Sequence, residues 1–309
     1  MNPPSDAMPG TAVDSQGLAP TAMPVRPLYW SVRREVWENR SIYIAPLAVA
    51  CIALLGALIS AMVHARRMQS LPAIESASQL ASVVRSFKVA PAPIMLATLL
   101  VGLFYALDAL YGERRDRSIL FWKSLPVSDL TTVLSKASIP LVVLPLVGFV
   151  LSVVTQFILL VMGSVILLGS GSSAASLWAE VGFFQGVPVM LYGLTVHVLW
   201  FSPIYGWLLL VSAWARRTPV LWAGLPLLVP CVVEKMAFNT SHFVSLLKYR
   251  VTGAMTEAFT LEAQNGRVDR ITQLDPAGFL TTPGLWIGLG AAAAFLAVAV
   301  RLRRDREPI

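Results

Sequence analysis

An all-α integral membrane protein with six transmembrane helices is the fold this sequence predicts, and three observations predict it. The 309 residues are 56% apolar and only 13% charged, against roughly 25% charged in soluble domains. Six segments, 42–63, 93–110, 139–168, 187–213, 219–233 and 283–300, are mostly apolar. Most approach the ~20 residues that a hydrocarbon core about 30 Å thick asks of a helix. The basic residues are also sorted by segment. With both ends on one side, 15 of the 24 Lys and Arg fall on that side, among them Arg33, Arg34 and Arg40, Arg114 to Lys136, Arg216 and Arg217, and Arg301 to Arg306. Lys and Arg collect on cytoplasmic loops, so both termini are expected inside, in the cell inner (plasma) membrane. The same bias accounts for the net charge of +7, and no nucleic-acid partner is inferred from it.

Residues 1–23 are rich in Pro, Ser, Ala and Gly and hold no Lys or Arg. They lack the basic start and apolar run of a signal peptide, so residues 1–26 are expected to form a disordered cytoplasmic tail. The text then changes to PLYWSVRREVWENRS. Leu28, Val32 and Val36 share one helical face with Tyr29 beside them; Ser31, Arg34, Glu35 and Glu38 hold the opposite face, and Trp30 and Trp37 mark an edge. Such a helix can lie in the membrane interface with its tryptophans at headgroup depth. The alternative is the first turn of a longer membrane helix.

Outer loops are expected at about 64–92, 169–186 and 237–282. The first includes a helix near 74–84; the second is Gly/Ser-rich and flexible before the aromatic, interface-seeking WAEVGFFQ. The third span exceeds what a bilayer needs, so it is tilted, kinked near Pro145 or continued beyond the membrane. In the fourth, Pro203 and Gly206 predict a kink. The turn Arg216-Arg217-Thr218-Pro219 is so short that spans four and five must be antiparallel neighbours. The fifth is short and holds Pro226 and Pro230. In the last outer loop a helix is expected over 255–263, with turns at Asn265-Gly266 and at Asp275-Pro276-Ala277-Gly278, a small cap and not an independent domain. Gly284 and Gly288 form a small-xxx-small helix face.

Little in the chain points to covalent chemistry. It holds no G-x-x-x-x-G-K-[ST] phosphate loop and no G-x-G-x-x-G after a strand. His64, His197 and His242 fall in different segments, with no i, i+4 pair beside an acid to hold a metal. Cys51 and Cys231 sit alone in apolar spans. An enzyme is therefore not expected, and no cofactor is expected in this chain. Two ionisable residues in or near the spans stand out, since such groups are costly there. Asp108 reads as a hydrated partner for Arg114 or Arg115. Glu234, beside Lys235, either snorkels to the surface or lines a path as a candidate gate.

The most informative stretch is 106–136, ALDALYGERRDRSILFWKSLPVSDLTTVLSK. Five charged residues, Glu113 to Arg117, are followed at once by Ile119, Leu120, Phe121 and Trp122. Four large apolar side chains in a charged loop imply a surface to rest on, either lipid headgroups or another protein. Ser118 can cap a short helix, Ile119 with Trp122 and Phe121 with Leu125 are helical neighbours, and Pro126 stops it. Aromatic and Arg enrichment is also what binding hot spots show.

The run ERRDRSILFWKSLPVSD followed by Lys136 resembles the loop between the second and third spans of the permease subunits of type 2 ABC exporters. The likeness extends to REVWENRS and to SPIYGWLLLVSAWARRTPVLWAGLP. It implies a permease domain over 27–309, with a coupling loop at about 111–137. Its coupling helix would dock on a separately encoded ATPase, which binds the ATP, through Glu113, Arg114, Arg117, Ile119, Phe121, Trp122 and Leu125. It further implies a permease homodimer or heterodimer that exports cargo by alternating access, with membrane lipids around it. Two other classes remain open: a non-transporting complex member that signals to or assembles an outside partner, and a polytopic membrane enzyme.

Overall fold

The computed structural model describes residues 27–67, 84–124, 127–169, 173–260, 268 and 270–305. The expected tail, the helix near 74–84 apart from residue 84, Leu125 with Pro126, and the Asn265-Gly266 turn lie outside the described residues. In chain order the helices are α1 (Pro27–Glu38), α2 (Ser41–Arg67), α3 (Pro91–Asp108), α4 (Tyr111–Arg115), α5 (Ile119–Lys123), α6 (Asp129–Ser138), α7 (Leu144–Gly169), α8 (Ala174–Val181), α9 (Phe183–Trp214), α10 (Pro219–Phe238), α11 (His242–Ala258), α12 (Pro276–Thr281) and α13 (Pro283–Asp305). Among the described residues, extended backbone pairs at one bridge, Phe259 with Leu274. Six helical stretches are long and apolar enough to cross a membrane: Ser41–Ser60, Val84–Arg115, Asp129–Gly169, Ala174–Trp214, Pro219–Phe238 and Pro283–Asp305. The chain is a multi-pass, all-α membrane protein.

The third span is longer in the fold than expected, Asp129–Gly169. The rod runs from α6 into α7 through a π turn, Ile139–Val143, in which the Leu144 amide donates to the Ile139 carbonyl. Pro140 has no N–H for the regular ladder, and the wider turn absorbs that loss. Spans four and five are antiparallel neighbours: the Trp207 indole donates to the Ala223 carbonyl at 3.1 Å, and Trp214 meets Trp222 edge to face at 4.8 Å. Pro188 and Pro203, however, lie inside an unbroken α9. At Gly206 a Cβ would stand 3.3 Å from the Ala292 backbone of α13. At Gly182 a φ of +60° lets α8 end and α9 begin at one residue, which favours glycine.

The last loop holds more helix than its polarity predicts. Expected only from 255, α11 starts at His242 and packs against α9, α12 and α13. Arg250 donates to the carbonyls of Gly284, at 3.0 Å, and of Trp200, and the Trp200 indole donates back to the Arg250 carbonyl at 2.8 Å. The small face of α13 is the seat for this contact. A Cβ on Gly284 would stand 2.7 Å from the Tyr249 hydroxyl, and one on Gly288 would enter the Arg250 guanidinium. Asp275 accepts from the Gly278 amide at 2.8 Å and starts α12, so the expected turn is a helix N-terminus with Pro276 in its first position.

Candidate functional site

Where α1, α4, α6 and α13 meet at one end of the bundle, six charges are gathered with little water. Glu35 of α1, Lys136 of α6 and Arg303 of α13 are 1%, 4% and 4% exposed. The Lys136 ammonium lies 2.9 Å from Glu35 and 3.1 Å from Glu113 of α4. Arg303 pairs with the other oxygen of Glu113, and its Nε lies 3.1 Å from Asp129. Arg34 reaches Glu35 at 2.9 Å, and the Tyr105 hydroxyl of α3 donates to Glu35 at 2.7 Å. Three carboxylates thus face three cations. Burying any of them alone would be expensive, so the cluster holds its charges only as a set.

Electrostatics at the edge differ from those at the centre. Burial pushes the Glu35 carboxyl up, but Lys136, the Tyr105 hydrogen bond and Arg34 together outweigh it and hold the group below its ordinary 4.5. At Glu38 burial prevails over Arg34, and the carboxyl is raised. A cavity of about 700 Å³ opens beside the cluster, lined by Glu38, Asn39, Asp108 and Asp116 as well as its central carboxylates.

The same cluster holds up the charged loop. Arg114 is buried and donates to the carbonyls of Ser212, at 2.9 Å, and Ala215, at 2.6 Å, at the end of α9. The Ser212 hydroxyl accepts from the amides of Leu110 and Tyr111 at 3.0 and 2.9 Å. Arg117, with φ +58°, breaks the chain between α4 and α5 in a conformation that non-glycine residues seldom adopt. The Arg34 guanidinium sits 3.6 Å over the Trp122 ring, and Lys123 donates to the Arg304 carbonyl at 3.3 Å. On this base Leu120 and Phe121 stand 59% and 60% exposed, with Phe121 braced edge to face on Trp122 at 4.8 Å.

The residues expected at the contact differ in exposure. Glu113, Arg114 and Ile119 are buried inside the chain, the first two with partners of their own, so they support the loop and offer no surface in this conformation. Arg117 and Phe121 are exposed and Trp122 is half-buried, while Leu125 lies outside the described residues. Ser118 makes no side-chain cap; its hydroxyl donates to the Glu113 carbonyl at 3.4 Å. Asp108 faces Arg115 at 3.9 Å. Glu234 is bonded to the residues that follow α10. Its carboxylate accepts from the Thr240 hydroxyl and the His242 amide at 2.7 Å and from the Phe243 amide at 2.8 Å, and so joins α10 to α11.

Glu35 is the functional residue that sequence reasoning did not single out, since it stood only as one of four polar residues on a face of α1. In the fold Glu35 is buried while Glu38 on the same face stays exposed, and Trp30 and Trp37 are exposed as well. Arg303 was legible only as a member of a positive-inside tally, and Lys136 as that and as the end of the run that carries the resemblance. The available signal was a balance of unlike charges beside apolar spans, which demands pairing. Among the described residues no group of His, Cys, Asp and Glu comes together that could hold a metal ion. Compared with protein-family models, curated proteins and solved structures, the chain matches none.

Proposed function

We propose that this chain is the membrane-spanning permease subunit of an ATP-driven exporter of the type 2 ABC kind, worked by a separate ATPase. The reading rests on the sequence resemblance of the 111–137 loop and on one observation in particular. The exposed pair Leu120 and Phe121 stands on a five-residue helix whose base is an ion cluster shared by four helices. A partner that grips the pair moves α1, α4, α6 and α13 together, because separating them would strand buried charges. On this reading the cluster end is cytoplasmic, both termini are inside, α1 lies along the membrane surface with Trp30 and Trp37 toward headgroups, and α5 is the coupling helix. Two such subunits and two ATPases would alternate access to a cargo that binds the two states unequally.

Co-purification from native membranes tests the proposal. Tagged wild type is expected to carry an ATP-hydrolysing subunit, and Leu120→Ala/Phe121→Ala to lose it while inserting and melting as the wild type does. Wild type without an ATPase, or equal retention by the variant, would overturn the reading.

A further inference from the structure

Between α3, the π turn and α9 the spans leave a cleft of about 450 Å³, within the ~300–1,000 Å³ typical of small-molecule sites. Its origin is in the sequence. Pro140 and Pro145 line the side of the π turn, where only short rings project, and Gly193 contributes no side chain on α9. The rest of the wall is apolar, with Met95, Leu99, Met190 and Leu194, and the exposed Leu96 lies at its edge. Three polar side chains line it. Thr98 spends its hydroxyl on the Met95 carbonyl at 2.8 Å. His197 Nε2 and the Tyr205 hydroxyl make only a long contact of 3.4 Å with each other. His197 Nδ1 has no hydrogen-bond partner among the described residues, while its ring packs on Phe201 at 4.8 Å.

We propose that this cleft binds a single-chain amphiphile whose one hydroxyl or carbonyl oxygen meets His197 and Tyr205 and whose hydrocarbon fills the space left by Pro140 and Gly193. An apolar cleft at membrane depth is filled by hydrocarbon at no cost in hydration. A polar group there without a partner is costly, so a ligand oxygen at His197 is selected over plain alkane. Both a bilayer lipid chain, through its ester carbonyl, and a free amphiphile have this chemistry. The assignment does not depend on what drives the protein.

The test is photolabelling of the purified full-length chain in phosphatidylcholine nanodiscs with a diazirine-bearing dodecanol, beside the same probe without its hydroxyl. Label is expected to concentrate in the 183–214 peptide and to favour the alcohol. Gly193→Leu, which fills the cleft at a position where a Cβ meets nothing within 4 Å, is expected to lower it about tenfold. Gly224→Leu, equally open but on α10, is expected to leave it unchanged. His197→Phe is expected to abolish the preference for the alcohol. Competition by unlabelled dodecanol but not by added phosphatidylcholine assigns a free amphiphile; competition by both assigns a bilayer chain. Label spread evenly over α2, α7 and α10, or indifferent to Gly193→Leu, would overturn the site. Should Gly193→Leu aggregate, Met190→Trp obstructs the same cleft one turn away and is read in the same way.

Discussion

Lys136 donates to Glu35 at 2.9 Å across 101 positions of sequence, and the same ammonium lies 3.1 Å from Glu113. One cation thereby holds together two carboxylates that would otherwise repel, and joins α1 to the start of the charged loop. Arg303 performs the same service between Glu113 and Asp129. The loop is consequently built on long-range pairs, and its local sequence supplies only the part that faces outward.

Removing two members should therefore cost less than the sum of the two single losses. Glu113→Gln leaves Lys136 and Arg303 short of negative charge, and a buried pair broken on one side costs about 3–5 kcal/mol. The melting temperature in detergent should fall accordingly. In Glu113→Gln/Arg303→Gln the stranded cation is gone as well, and a coupling of about 0.5–3 kcal/mol should return. Strict additivity of the two single losses would show that the pair is not coupled.

Acid should act through Glu35. Its carboxyl is held below 4.5 in the fold, so the unfolded chain binds its proton more readily. The stabilisation is complete above about 4.5 and is lost as pH falls through the lowered value. In Lys136→Met the largest attraction is removed, burial is opposed only by Tyr105 and Arg34, and the Glu35 value rises. That variant is less stable than wild type at pH 7, and the gap should narrow on acidification to about pH 5. Melting curves over this range decide it, and a constant gap would count against the assignment.

Arg114 closes the end of α9 through two carbonyls, and the next residues include Arg216 and Arg217, the turn into α10. Arg114→Met keeps the bulk but leaves the Ser212 and Ala215 carbonyls without their donor, a loss of about 1–3 kcal/mol for buried polar groups. Limited trypsin digestion should then cut after Arg216 or Arg217 several-fold faster than in wild type. An unchanged digestion rate would mean that the turn holds without Arg114.

What could be read from the sequence followed length scales. Six apolar spans and the short turn at 216–219 are properties of consecutive residues, and each is present in the fold. The exposed placement of Arg117 and Phe121 was likewise local. Whether Glu35 points inward depends on Lys136 and Tyr105, far away in the chain, and the polar face of α1 gave no hint of them. Gly206, legible only as part of a kink signal with Pro203, also admits the backbone of Ala292 in α13. The π turn could not be foreseen either: Pro140 predicts a missing hydrogen bond but not how the ladder makes up for it.

The seat of Arg250 on α13 offers a prediction with a built-in rescue. Gly288→Ala places a methyl group where the guanidinium lies, and that guanidinium is fixed by the Trp200 and Gly284 carbonyls and rests 4.7 Å over the Trp200 ring. It cannot swing away without giving up both of those hydrogen bonds, so the substitution should cost about 1–3 kcal/mol as overpacking does. Hydrogen exchange should rise in α11 while α3 and α7 keep their protection. Arg250→Met alone should also loosen α11, because Trp200 loses its stacked cation. In Gly288→Ala/Arg250→Met the slimmer thioether chain leaves room for the methyl group, and the double variant should be no worse than Arg250→Met. If the two losses simply add, the glycine is not there to admit the arginine, and the contact between α11 and α13 must be held by Tyr249 and Gly284 instead.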